Sequence, residues 1–280
     1  TEGGVLSCRC PDGLHGEKIT LSFPSVGATE NILIAAASAD GETVILNAAR
    51  EPEIADLADF LCSCGAHISG ADSGEIKVCG VKKLHSAEHT VIPDRIIAST
   101  YMAAAAVTGG DVRILDTRAE HITPVIPVFE QAGCKVDCGE SSVHILAPVR
   151  LRSVQTVRTM PYPGFPTDSQ AAVMAMLSVA HGTSVMIENI FENRYRHVRE
   201  LCRLGADIMT EGKVAVIKGV ETLTGACVCA ADLRAGTALA VAGLAAQGST
   251  TIENVCLIDR GWQDMEEKLR SLGAEIERES

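Results

Sequence analysis

Aromatic residues are nearly absent from this sequence of 280 residues: one Trp, three Tyr and five Phe make up 3% of it. A core with so few rings must close-pack small side chains, which suits a chain rich in alanine and glycine. Positive charge is also short. Lys and Arg total 24 against 36 Asp and Glu, a formal net charge of −12. That balance argues against a general binder of nucleic acid or anionic membrane. An anionic ligand would need a local arginine cluster, because the overall field repels it. The longest apolar stretches, such as Met102–Val107, are far too short to span a bilayer. The eight histidines show no metal-ligand spacing, and no CxxC pair, Walker loop, dinucleotide fingerprint or nucleophile elbow occurs. Neither a metal nor a cofactor is expected. The sequence also opens at Thr1 without methionine, in what reads as mid-hairpin, so a fragment is expected.

What is present begins with eleven cysteines. Cys62, Cys64, Cys202, Cys227 and Cys229 sit in apolar, periodic segments, and no secretory signal or small loop-rich scaffold accompanies them. Buried free thiols in a cytosolic protein are expected.

The strongest signal is an internal repeat. Helix ends followed by strands recur at Leu61-Cys-Ser-Cys-Gly65, Phe129-Glu-Gln-Ala-Gly133, Leu201-Cys-Arg-Leu-Gly205 and Leu269-Arg-Ser-Leu-Gly273, with glycines 68, 72 and 68 residues apart. Gly41, Gly110, Gly182 and Gly248 each end an alanine-rich stretch and precede a β-rich run, so two markers share one period. Each unit reads as an apolar helix, a strand ending near Asn47, Asp116, Asn189 or Asn254, an amphipathic helix, and then alternating strands. The fold class is therefore α/β, helix-covered sheets gathered about a pseudo-symmetry axis. Gly4–Cys10 with Lys18–Phe23 reads as a hairpin closing a preceding unit, and Ala274–Arg278 as a strand of the fourth.

Repeats share structure, so chemistry should lie where they differ. Copies two to four open their first helix at Asp94, Asp168 and Asp232, which N-capping alone could explain. Copy one has Ser25-Val-Gly27 there, a small turn able to offer N–H groups to a phosphate or simply an ordinary helix start. Arg50, Arg194 and Arg260 fall near the expected start of the second helix, the unfavourable end of the dipole for a cation. Either an anionic ligand or the adjacent Glu51, Glu192 and Asp259 could compensate. Arg234 adds a guanidinium at a first-helix start, and such planar groups grip phosphate and carboxylate bidentately.

Six stretches in order, Phe23-Pro-Ser-Val-Gly-Ala-Thr, Asn47-Ala-Ala-Arg-Glu-Pro-Glu-Ile, Phe165-Pro-Thr-Asp-Ser-Gln-Ala, Phe191-Glu-Asn-Arg-Tyr-Arg-His-Val, Ala231-Asp-Leu-Arg-Ala and Ile258-Asp-Arg-Gly-Trp, closely resemble the UDP-N-acetylglucosamine enolpyruvyl transferases of peptidoglycan synthesis. The resemblance implies two pseudo-threefold domains of βαβαββ units, the inside-out α/β barrel of that family. Residues 1–92 would be a partial first domain and 93–280 the second, with its last unit unclosed. It also implies transfer of the enolpyruvyl group of phosphoenolpyruvate to the 3-hydroxyl of UDP-N-acetylglucosamine, in the cytoplasm and without cofactor. In that reaction Asp168 would take the hydroxyl proton. Arg260 and Arg234 would hold the anions of phosphoenolpyruvate, with Arg194 closing the same region. Phe23, Pro24, Ser25, Val26 and Gly27 would receive the uridine diphosphate, Ile190 would touch the nucleotide sugar, and Asp232 would support Arg234. The family's Lys-Asn pair and its flexible loop bearing a cysteine acid have no counterpart here, so the chain alone is expected to turn over little. The related shikimate-pathway transferase and a non-catalytic nucleotide-sugar-binding homologue are the alternatives.

Overall fold

A computed structural model of the chain describes residues 7–279. It divides into two compact units, Thr1–Ile92 with Pro161–Pro163, and Pro93–Met160 with Gly164–Ser280.

In the first unit, β1 (Lys18–Thr20) leads through α1 (Val26–Ala36) to β2 (Glu42–Leu46), followed by α2 (Pro52–Ser63), β3 (His67–Ser69) and β4 (Glu75–Cys79). The sheet order is β1-β2-β4-β3, with β1 parallel to β2 and the other pairs antiparallel. A parallel pair needs a crossover, which α1 provides, whereas β3 and β4 need only a turn. Alternation buries Ile45, Ile76 and Val78 on one face, against Leu33, Ile54 and Leu61 of the two helices. The hairpin expected between Gly4–Cys10 and Lys18–Phe23 falls partly outside the described residues, and no pairing of that kind occurs among those described. Lys18–Thr20 instead pairs in parallel with β2, residues 7–10 carry no strand, and Gly4–Leu6 lie outside the described residues.

The second unit holds three further copies. The first comprises α3 (Arg95–Val107), β5 (Asp111–Leu115), α4 (Ala119–Ile122), α5 (Ile126–Gln131), β6 (Lys135–Cys138) and β7 (Ser142–Leu146). The next runs β8 (Thr156–Arg158), a 3-10 turn (Thr167–Ser169), α6 (Gln170–Leu177), β9 (Thr183–Ile187), α7 (Val198–Arg203), β10 (Asp207–Glu211) and β11 (Val214–Lys218). Its sheet, β8-β9-β11-β10, has the same order and pairing senses as that of the first unit. The last copy contains β12 (Leu223–Thr224), β13 (Cys227–Cys229), α8 (Leu233–Ala245), β14 (Ala246–Gln247), β15 (Thr251–Glu253), α9 (Cys256–Asp259) and α10 (Met265–Ser271). There β13 runs parallel to β15. Among the described residues the full βαβαββ order is present in the first and third copies, while the second lacks the leading strand and the fourth the closing pair.

The core of this unit is three helices packed on one another, α3, α6 and α8. Every residue of α6 is buried, as are most of α3 and α8. A helix covered all round has no apolar stripe, which is why these sequences read as continuous Ala-rich runs. Small residues let the neighbours approach: a Cβ on Gly236 would sit 2.5 Å from Ile258 Cγ1.

Gly65, Gly133, Gly205 and Gly273 all have φ between +95° and +101°, the left-handed conformation that suits glycine at a helix end. In the other set the second copy differs: Gly109, not Gly110, carries the positive φ, +66°. Ala274–Arg278 forms no strand, because a strand needs a ladder partner and none pairs with it among the described residues. Arg270 Nε and Nη2 instead donate to Ile276 O at 3.0 and 2.7 Å. The cysteines are all free, but only Cys64 and Cys134 are buried. The β alternation that turns Val228 inward leaves Cys227 exposed, so apolar surroundings in sequence misled on burial. No helix among the described residues is long and apolar enough to cross a membrane.

Candidate active site

Three aspartates open the first helices of the second unit, and two of them cap. Asp94 accepts from the N–H groups of Ile96 and Ile97 at 2.7 and 3.0 Å, and Asp232 from Ala235 at 2.8 Å. Asp168 does not. It lies inside the 3-10 turn before α6, and Ser169, the residue just before α6, makes no side-chain cap.

The Asp168 carboxylate faces arginines instead. Arg234 Nη2 donates to Oδ2 at 2.9 Å, and Arg194 Nη2 donates to Oδ1. Both guanidiniums are about one-fifth exposed, at 23% and 20%, whereas the carboxylate is 39% exposed and so open to a ligand. Burial pushes the Asp168 carboxyl up, but Arg234, Arg194 and Arg95 outweigh it and hold it below the usual aspartate value. Arg194 also lies over the Phe191 ring, 5.0 Å from its centroid, and its Nε is buried without a hydrogen-bond partner. An unpaired buried donor beside an open carboxylate is an anion acceptor in waiting. Just beyond, His197 is buried with Nε2 3.3 Å from Met174 Sδ, and burial lowers its pKa to about 4. A neutral ring therefore supports the Arg194 turn.

Arg234 reaches Asp168 because the Asp232 cap fixes the first turn of α8. Arg260 approaches the same helix from α9: a Cβ on Gly261 would meet Leu233 Cδ2 at 2.8 Å. Arg260 is exposed and makes no ion pair with Asp168 among the described residues. It caps the C-terminal end of α9, not the start of the next helix, where a cation sits at the favourable end of the dipole. The adjacent acids do not pair with their arginines either. Asp259 is held by Arg278 at 2.8 Å, Arg194 turns to Asp168 and not to Glu192, and Arg50 Nε donates to Asp72 O at 3.3 Å. Arg50 keeps only a backbone link, its N–H to Glu51 Oε2 at 3.0 Å. Ile190 sits in the turn after β9, its N–H bound to Glu188 Oε1 at 2.8 Å.

In the first unit, Phe23–Gly27 forms the start of α1. Ser25 Oγ accepts from Ala28 N at 3.3 Å, so the ordinary capping reading is satisfied. Phe23 is 43% exposed. Gly27 is exposed too, and apart from its chain neighbours and its own helix backbone no atom lies within 4 Å of where its Cβ would stand, which leaves room for a ligand against the helix start.

Two residues escaped sequence reasoning. Arg95 looked like one more residue after an N-cap, yet it is buried at 9% exposure and its charge acts on Asp168. Glu188, 1% exposed, was passed over for its neighbour Asn189.

Residues 6–269 match the sequence model of the family described as EPSP synthase (3-phosphoshikimate 1-carboxyvinyltransferase). Two relatives from Caldanaerobacter subterraneus subsp. tengcongensis are similar to the chain. UDP-N-acetylglucosamine 1-carboxyvinyltransferase 2 is 51% identical, covering 98% of this chain and 66% of that protein. UDP-N-acetylglucosamine 1-carboxyvinyltransferase 1 is 55% identical, covering 95% of this chain and 64% of that protein. The chain thus spans just under two thirds of the length of the curated relatives it matches. Among solved structures, the enolpyruvyl transferase NikO from Streptomyces tendae superposes with a TM-score of 0.86 at 26% identity, over 95% of this chain and 66% of that one. EPSP synthase from Acinetobacter baumannii shares the fold, with a TM-score of 0.72 at 22% identity, over 95% of this chain and 64% of that one.

Proposed function

The chain belongs to the EPSP synthase family, and on that premise we propose that it serves the transfer of the enolpyruvyl group of phosphoenolpyruvate to the 3-hydroxyl of UDP-N-acetylglucosamine. Relatives named for that activity at 51% and 55% identity support the choice of acceptor. The observation that carries the chemistry is Asp168 held between Arg194 and Arg234 instead of capping its helix.

The reaction needs an acceptor for the hydroxyl proton, cations for the carboxylate and phosphate of phosphoenolpyruvate, and stabilisation of the charged tetrahedral intermediate. Asp168 supplies the acceptor. A carboxylate locked between guanidiniums is a weak base, so the free site stores it ionised. When phosphoenolpyruvate brings its own anions to Arg194 and Arg234, the arginines are shared and the Asp168 carboxyl rises towards proton-accepting strength. The unpartnered Nε of Arg194 is ready for one of those oxygens. Arg260, on the exposed end of α9, adds a further cation for the phosphate. Asp232 keeps Arg234 in place, Phe23–Gly27 receive the uridine diphosphate, and Ile190 meets the nucleotide sugar. The reaction belongs to peptidoglycan synthesis, hence to cell-wall biogenesis, cell shape and division, and its setting is the cytoplasm.

The test is phosphate release from phosphoenolpyruvate by the full-length protein with UDP-N-acetylglucosamine or shikimate 3-phosphate as acceptor, together with calorimetric binding of each acceptor to the chain. Binding and release confined to the nucleotide sugar are expected. Binding of shikimate 3-phosphate in its place would overturn the reading in favour of the shikimate-pathway reaction.

A further inference from the structure

The repeat isolates one position in the third copy. The sixth residue after Gly41, Gly110, Gly182 and Gly248 is Asn47, Asp116, Glu188 and Asn254 respectively. The first, second and fourth of these adopt the left-handed conformation, with φ of 56°, 51° and 59°. Asn and Asp tolerate that region better than other non-glycine residues. Glu188 does not adopt it. The strand-ending turn shared by the other copies is replaced here by a different device.

That device is the Glu188 side chain itself. Oε1 accepts from Thr159 Oγ1 at 2.9 Å, from Ile190 N at 2.8 Å and from Phe191 N at 3.0 Å. Oε2 accepts from Thr167 Oγ1 at 2.9 Å. A carboxylate is an acceptor-only group, and four donors converge on it. Thr159, itself wholly buried, also accepts from Asn189 N at 2.8 Å, so its hydroxyl proton is committed to Glu188. Asn189 Nδ2 returns to Thr159 O at 3.2 Å. A buried charge is tolerated when its lone pairs are met in this way.

The two sides of this cluster lead to the two halves of the candidate site. Thr167 opens the 3-10 turn that contains Asp168. Ile190 and Phe191 begin the turn that ends in Arg194, and Phe191 carries the ring beneath that guanidinium. We infer that Glu188 is the positioning residue of the site, its buried carboxylate fastening the turn that presents Asp168 to the turn that presents Arg194. It does not touch the reacting atoms. It sets the distance between the proton acceptor and a cation that governs it.

This inference rests on the reading of Asp168 as proton acceptor, and the test separates the two. Titration of the Asp168 carboxyl, followed by carbon NMR in the chain without substrate, reports the arginine contact directly. Phosphate release by the full-length protein reports the reaction. In Glu188→Ala the Asp168 titration moves to higher pH as Arg194 comes away. Amide exchange at Ile190 and Phe191 accelerates by about tenfold or more relative to the β9 amides, and kcat falls by about tenfold or more with a smaller change in KM for the acceptor. Glu188→Gln keeps a carbonyl oxygen for three donors and can turn its amide to the Thr167 hydroxyl, so it restores all three readouts towards the starting protein. An unchanged Asp168 titration in a folded Glu188→Ala protein overturns the inference, whatever turnover does. A shifted titration with unchanged phosphate release upholds the positioning role and removes Asp168 from the acceptor role. If Glu188→Ala does not fold, Thr167→Val decides: it releases one anchor only, and absence of any upward move of the Asp168 titration is fatal to the inference.

Discussion

The start of α6 differs from the starts of α3 and α8, although all three carry an aspartate at the same point of the repeat. Asp94 and Asp232 spend their carboxylates on the helix behind them. Asp168 gives up the cap, worth about 0.5–2 kcal/mol in ordinary helices, and α6 is entered through a 3-10 turn instead. The carboxylate is thereby turned to Arg194 and Arg234. Residue type and position are the same in the three copies, so neither marks the site. What marks it is where the hydrogen-bonding capacity of the side chain goes. A scaffold that repeats can afford to leave one helix start uncapped, because the buried neighbours on either side hold the helix in place.

The comparison breaks most sharply at Asp168 itself. In the full-length protein Asp168→Asn should lower kcat by about 10²–10⁴-fold, the usual range for a lost general base, while calorimetric affinity for UDP-N-acetylglucosamine stays measurable. Normal turnover would put Asp168 back among the caps. Next come its partners. Arg234→Ala and Arg194→Ala should each cost about 10²–10³-fold in kcat/KM for phosphoenolpyruvate. Each removes a cation that holds the Asp168 carboxyl down, so the acid limb of the profile moves to higher pH; a limb that stays put would separate these arginines from Asp168.

A stability effect follows at His197. Burial keeps its ring neutral to about pH 4, whereas the unfolded chain protonates it near 6.5. The unfolded state therefore binds more protons between those limits, and stability falls as pH drops through that window, by roughly 3 kcal/mol at most. His197→Gln should flatten the dependence in denaturant titrations, and an unaltered slope would count against a buried neutral ring. The smallest effect sharpens the contrast from the other side. Asp94→Ala should cost about 1 kcal/mol of stability, read as a shifted denaturation midpoint, with turnover within about twofold of the starting protein. A large loss of turnover there would erase the distinction between cap and site.

The repeat was legible in the sequence because left-handed glycines and buried alanine runs leave marks at fixed spacing. Asp168, Arg194 and Arg234 were legible as departures at helix starts, and the structure brings these three together. Arg260 was legible too, but its surroundings were not: α9 intervenes, and Asp259 is taken by Arg278 from beyond α10. Arg95 and Glu188 were hidden for different reasons. The reach of the Arg95 charge to Asp168 comes from the packing of α3 on α6, which no local pattern encodes. Glu188 is hidden by a register slip of one residue, since the sequence pattern ends the strand near Asn189. Counting from the repeat glycines would have found a glutamate where the other copies have Asn or Asp. The strand expected at Ala274–Arg278 shows the limit of alternation as a guide: period-two patterning fits a strand only where a neighbour supplies the ladder.

The central claim is that the arginines hold Asp168 in reserve for an anion that takes their place. Titrating the Asp168 carboxyl by NMR, with and without phosphoenolpyruvate, tests it most directly. The free chain should titrate below the ordinary aspartate value, and saturation with phosphoenolpyruvate should move the titration to higher pH. A titration that stays fixed, or moves lower, when phosphoenolpyruvate is bound would contradict the account.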